Sequence, residues 1–255
     1  MQNPVRVETA ASLGAQIIGV SQIANRLKIY LTNQGITAHV CVSPRELNLN
    51  QSTDYLFWIL KSREDTVNEL LINLARHFQT KLILISLDSD YSAPILSGLL
   101  SRDLDACAIS IYHCYGPQMN ESILAVLWNR LKEGLIALPE NDQLSVAPLY
   151  LDDALEAICR ITFSSRAFGR SFTLTGTEPI SLLSLSFRLR EETARVLGKL
   201  PKVIDVFSLP AGSAASVSRL EAGKSFQREI NWQPHYDLSH GLANTIAAIL
   251  TPIKK

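Results

Sequence analysis

His113 and Cys114 stand side by side at the end of an apolar run, in "ISIYHCYGP". An imidazole beside a thiol could form a nucleophile–base pair or part of a metal site. A metal needs three or four converging ligands, and this stretch offers two. The other cysteines, Cys41, Cys107 and Cys159, have neither CxxC nor Cys/His spacing, so no metal site is expected. A second candidate is the adjacent pair Asp152-Asp153. At a helix start these carboxylates point apart, which suits capping better than paired acid–base work. A third is "IIGVSQIAN". A pyrophosphate approaches bare backbone at a glycine turn that opens a helix. The G-x-G-x-x-G spacing falls on Gly19, Ser21 and Ala24, with Ile23 in the same turn. Alanine is allowed at the third place, whereas Ser21 brings a side chain where none is wanted. There is no G-x-S-x-G elbow, P-loop or H-E-x-x-H.

The next strand, "TAHVCV", would ordinarily end near an acid for the adenosine ribose. Here it offers Ser43, with Arg45 just beyond. Arg45 either favours a 2'-phosphate, hence NADP, or is a solvated loop charge.

These residues need a scaffold, and the sequence supplies one. "AQIIGV", "TAHVCV", "YLFWIL", "KLILIS" and "ACAISIY" are short apolar runs. Between them lie helical stripes such as Ile23, Leu27, Tyr30 and Leu31, and one from Val67 to Phe78. Strands apolar on both faces, alternating with helices, imply a doubly wound parallel sheet in an α/β fold. Farther on, Asn120 and Asp152 are expected to cap helices, as is Ser181 for a helix ending at Gly198, and "SFTLTG" reads as a strand. Residues 210–218 read as a mobile loop, and Trp232 as a packing anchor.

The 255 residues are 47% apolar and 19% charged, so a sizeable soluble core is expected. Lys plus Arg equals Asp plus Glu at 24 each, which gives nucleic acid no positive excess to meet. No apolar run approaches the ~20 residues that span a bilayer, and the N-terminus lacks a secretory layout. Reduced, unpaired cysteines point to the cytoplasm.

Four stretches in order, "ISIYHCYGP", "PLYLDDALEAI", "SFTLTGTEPISLLSL" and "REINWQPHYDLSHGLANTI", resemble the extended short-chain dehydrogenases/reductases of the nucleotide-sugar epimerase and dehydratase type. The resemblance covers roughly residues 105–250. It implies a Rossmann-like NAD(P)-binding domain over 13–117 and 148–176 and a smaller C-terminal substrate-binding subdomain over 118–147 and 177–250. The tails are 1–12 and 251–255. It makes Tyr115-Gly116-Pro117 the end of a sixth sheet strand at the substrate cleft, and His113 and Tyr115 candidate substrate contacts. His113 could equally be a hydrogen-bonded structural residue. Aligned to the family's glycine pattern, Ile18, Ser21 and Ala24 take the glycine places, so the turn is eroded in either register.

The family's chemistry uses Tyr-x-x-x-Lys and an upstream hydroxyl, the ammonium lowering the phenol's pKa for proton transfer. By this resemblance Ser86 supplies the hydroxyl, and Tyr91 is either the phenol or a non-catalytic rim or packing residue just after the strand, with the catalytic pair deleted. Yet Ile95 stands four residues after Tyr91, and no lysine occurs between Lys81 and Lys132. The expectation is therefore an NAD- or NADP-binding protein with a weakened site and impaired catalysis, serving as a binding or partner subunit. Its ligand class would be a nucleotide or nucleotide-sugar. The alternative is an active epimerase, dehydratase or reductase with displaced catalytic groups. Family dimers use the helices flanking the central strands. The second of these, Pro94 to Leu104, is short, which leaves homo- or hetero-oligomers open.

Overall fold

A computed structural model of the chain describes residues 13–19, 21–47, 53–60, 69–90, 92–122, 124–140, 145–198, 202–207 and 217–250. The chain runs β1 (Gly14–Ile18), α1 (Gln22–Asn33), β2 (Thr37–Cys41), β3 (Tyr55–Leu60), α2 (Glu69–Phe78), β4 (Lys81–Leu87), α3 (Ser92–Leu100) and β5 (Ala106–Ile111). Next come β6 (Cys114–Tyr115), α4 (Ala125–Lys132), β7 (Leu135–Pro139), β8 (Ser145–Val146), β9 (Leu149–Tyr150), α5 (Leu151–Thr162) and β10 (Ser171–Leu174). The last elements are β11 (Ile180–Ser181), α6 (Leu182–Leu197), β12 (Lys202–Phe207), α7 (Val217–Glu229) and α8 (Leu238–Leu250).

Six strands make one sheet in the order β10-β5-β4-β3-β1-β2, and every neighbouring pair is parallel. Successive side chains of a strand point to opposite faces, so each face needs its own cover. Along β4, Ile83 and Ile85 join a cluster containing Leu27 of α1, Leu155 of α5 and Phe226 of α7. Leu82 and Leu84 join Ile72 of α2 and Leu96 of α3. The doubly wound α/β fold is thus present as the apolar runs imply.

α1 shows how local sequence builds this layer. The Ser21 hydroxyl caps it by accepting the Ala24 N–H at 3.0 Å. Ile23, Leu27 and Leu31 are fully buried, each worth about 1.5–3 kcal/mol. Gly35, at φ +81°, turns the chain towards β2.

A separate cluster lies beyond the sheet. It joins Trp128 and Leu131 of α4, Ile136 of β7, Leu185 and Leu189 of α6, and Leu242 of α8. This is the core of the smaller C-terminal region. α7, placed by sequence within residues 177–250 of that region, belongs instead to the sheet layer. It packs on β10, and Phe226 and Trp232 sit in the sheet's core, the Phe226 ring facing Phe172 of β10 and the Trp232 ring facing Phe226.

Three further expectations need correction. "ISIYHCYGP" is not one strand: β5 is the fifth strand of the sheet and ends at Ile111, His113 takes φ +54°, and β6 leaves the sheet to pair with β9. Asp152 does not cap α5, because β9 runs straight into the helix and Tyr150 is the capping position. Asp152 instead accepts from Arg26 of α1 at 2.7 Å. Asn120 does not cap α4, which starts at Ala125. Its side-chain oxygen accepts from Lys132 Nζ at 3.3 Å. Ser181 caps α6 as expected, through the Ser184 N–H at 3.0 Å, and Gly198 ends that helix at φ +69°. The expected tails, most of the 210–218 loop and the start of the Val67 stripe lie outside the described residues.

Candidate functional site

In an open parallel sheet the ligand crevice forms at the carboxyl ends of the strands, where successive connections leave in opposite directions. Here that point lies between β1 and β3, because β2 lies beyond β1 on one side and β3 to β5 on the other. Gly19 marks it. Its φ is +137°, its N–H donates to Cys41 O at 3.0 Å, and a Cβ there would lie 3.1 Å from Ile59 Cβ. Only glycine suits that conformation and that close approach.

The turn therefore fits an approaching dinucleotide, but its donors are engaged. The Ser21 hydroxyl holds the Ala24 N–H, and the Gln22 N–H donates to Glu121 Oε1 at 2.7 Å. Ile23 and Ala24, expected to face a cofactor, are buried on the sheet side of α1. Ala24 packs there as a small residue must for helix and strand to approach. Ser43 precedes a short 3₁₀ turn, Pro44–Glu46, and Arg45 is exposed. Glu46, not among the candidates read from sequence, accepts the Val42 N–H at 3.0 Å. Its signal was an acid three residues past Ser43.

The ends of β4 and β5 carry the hydroxyls. Ser86 is fully buried. Its Oγ donates to Ser89 O at 2.8 Å and lies 3.1 Å from Ser92 Oγ and 3.2 Å from Ser110 Oγ. The hydroxyl is thus held inside a serine cluster. Tyr91 lies outside the described residues. Tyr112, which motif spacing alone does not single out, is the phenol placed at the end of β5. It is buried, donates to Asp90 Oδ1, and has the Arg219 guanidinium 4.5 Å from its ring centre. Burial first, then the Asp90 acceptor, push its hydroxyl well above the ordinary tyrosine range, and the Arg219 charge offsets only part of this.

His113 is 1% exposed. Its N–H donates to Asp88 Oδ1 at 2.7 Å, its carbonyl accepts from Leu149 N at 3.1 Å, and its Nδ1 accepts from Ala147 N at 3.1 Å. The residue therefore tacks the end of β5 to β9. Tyr115 is also buried, yet it borders a cavity of ≈350 Å³ shared with Tyr150, Tyr236, Glu178, Arg188 and His235. So Gly19, Ser21, Ile23 and Ala24 come together in one turn, with Ser43 and Arg45 at the adjoining strand end. Ser86 is held in its serine cluster, His113 bonds Asp88 and Ala147, and Tyr115 borders the other cavity. The four thiols are free and buried, with Cys107 and Cys159 pushed up to about 12 by desolvation. Among the described residues no group of side chains could hold a metal, and no helix is long and apolar enough to cross a membrane.

No family model matches the sequence, and no curated protein matches it significantly. Solved structures do match the fold. The dTDP-glucose 4,6-dehydratase of Bacillus anthracis str. Ames, in complex with NAD, superposes with a TM-score of 0.72 at 14% identity, over 93% of this chain and 96% of that one. The chain shares the fold of that structure. The UDP-glucose 4-epimerase of Thermus thermophilus, in complex with NAD, gives 0.67 at 14%, over 94% and 100%. The UDP-glucose 4-epimerase of Thermotoga maritima, with UDP-glucose, gives 0.69 at 14%, over 92% and 98%. The shared fold thus spans nearly the whole chain, including the smaller C-terminal region.

Proposed function

We propose that this chain is a nucleotide-binding protein that keeps the extended short-chain dehydrogenase scaffold and has lost its catalysis, serving as a binding or partner subunit. The observation that carries this reading is the state of the hydroxyls at the strand ends. Proton transfer in such a cleft needs a phenol whose ionised form is stabilised by a neighbouring cation. At Tyr112 the proton is directed onto a carboxylate, and the Arg219 guanidinium 4.5 Å from the ring centre offsets only part of the resulting rise in pKa. The Ser86 hydroxyl is engaged by its serine neighbours, and the whole window between Lys81 and Lys132 contains no lysine. A positioned acid–base group contributes about 10²–10⁴-fold, so its loss removes most useful turnover.

Ligand binding at Gly19 is supported by the turn itself and by the NAD carried by similarly folded dehydratase and epimerase structures. A nicotinamide dinucleotide is the proposed cofactor, bound weakly, and a nucleotide-sugar the proposed second ligand. Calorimetric titration with NAD⁺, NADPH, UDP-glucose and dTDP-glucose tests this. Saturable binding of at least one is expected. No heat of binding with any of the four, at millimolar ligand, contradicts it.

A further inference from the structure

We infer that Glu121 sets what the cleft accepts: its carboxylate holds the place at the start of α1 that a dinucleotide's pyrophosphate would take, so a dinucleotide must displace it. This rests on the reading of the Gly19 turn as a nucleotide site.

The first N–H groups of a helix have no partner within it, and their field favours an anion. In a dinucleotide fold the pyrophosphate satisfies them. Here protein groups do so. Gln22 N–H donates to Glu121 Oε1 at 2.7 Å, and Ala24 N–H donates to Ser21 Oγ at 3.0 Å. An arriving phosphate therefore meets two occupied donors and a carboxylate of its own sign.

Glu121 is exposed, but buried residues on either side hold its backbone. It is presented from 99 residues away by a segment fixed on both sides. Met119 is 1% exposed within the sheet's core, and Leu124 is fully buried in the neighbouring cluster. Between them the Ser122 hydroxyl accepts the Leu124 N–H at 3.3 Å, while Met119 N–H returns to Gly116 O at 3.2 Å. The Arg26–Asp152 pair, at 2.7 Å, ties the next turn of α1 to α5. Opening the site thus means breaking the Gln22 contact against an anchored loop.

The test compares wild type, Glu121→Gln and Glu121→Ala by calorimetric titration with NAD⁺ at fixed salt. Hydrogen exchange at the Gln22 amide is followed without ligand. Removing a like charge within about 4 Å of the phosphates should tighten NAD⁺ binding roughly tenfold in both variants. The Gln22 amide should exchange about tenfold faster in Glu121→Ala than in wild type. Equal or weaker NAD⁺ binding by the variants overturns this inference and leaves the nucleotide reading standing. So does a Gln22 amide already exchanging freely in wild type. Failure of all three proteins to bind NAD⁺ overturns this inference, and the nucleotide reading falls with it only if NADPH, UDP-glucose and dTDP-glucose also fail to bind.

Discussion

Tyr112 donates its phenolic hydrogen to Asp90, with the Arg219 guanidinium 4.5 Å from the ring centre. A catalytic phenol must give up and regain that hydrogen readily, and here a carboxylate retains it.

The Tyr112 hydroxyl should therefore ionise late. Burial is the main cause and the Asp90 bond the second, both raising its pKa in the folded state. A raised folded value stabilises the protein fully below the unfolded pKa of about 10, and that contribution fades as pH rises through the folded value. An alkaline absorbance titration of wild type and Tyr112→Phe should differ by one phenol that ionises after the ordinary ones or together with unfolding. Phenolate assigned to Tyr112 at pH ~8–9 would contradict this.

Asp153 holds the loop before α8. It is 1% exposed and accepts the backbone N–H groups of His235 at 2.8 Å and Tyr236 at 3.1 Å. Asp153→Ala leaves both donors without their acceptor and should cost about 1–3 kcal/mol in urea unfolding. Asp153→Asn, keeping one acceptor, should fall between. A loss below about 0.5 kcal/mol for the alanine variant would show that water replaces the carboxylate freely.

Gly241 is small because Tyr115 needs the room. A Cβ on Gly241 would lie 2.8 Å from Tyr115 Cζ and 3.0 Å from Tyr150 Cδ2, and the Tyr115 ring is buried between Trp128 and Tyr150. Helix propensity alone would reward Gly241→Ala by up to about 1 kcal/mol. Overpacking should outweigh it, leaving a net loss of roughly 1–2 kcal/mol. Tyr115→Phe removes the hydroxyl that meets the new methyl and should recover more than about 0.5 kcal/mol in the double variant. Strict additivity would place the strain elsewhere.

The sheet and its helices were readable because burial on both faces leaves uninterrupted apolar runs, and the Gly19 turn because positive φ demands glycine. Distant partners were not readable. The break at His113 depends on Asp88 and Ala147, the partner of Asp152 is Arg26, far away in the sequence, and α7 follows β10 through ring packing. Nothing in the spacing around Glu121 marks it as the partner of Gln22, because periodicity reports only which face is buried. Tyr112 stands inside the motif that draws attention to His113. Spacing does not reveal it, because its significance comes from Asp90 and Arg219, which converge only in three dimensions.

The most direct measurement is turnover. The purified protein, at tens of micromolar with NAD⁺ and either UDP-glucose or dTDP-glucose, is followed by proton NMR overnight alongside a protein-free blank. A scaffold that binds without catalysis predicts ligand line-broadening and no epimerised or dehydrated sugar above the blank. Conversion of either sugar, removed by substitution of a cleft residue, would contradict it.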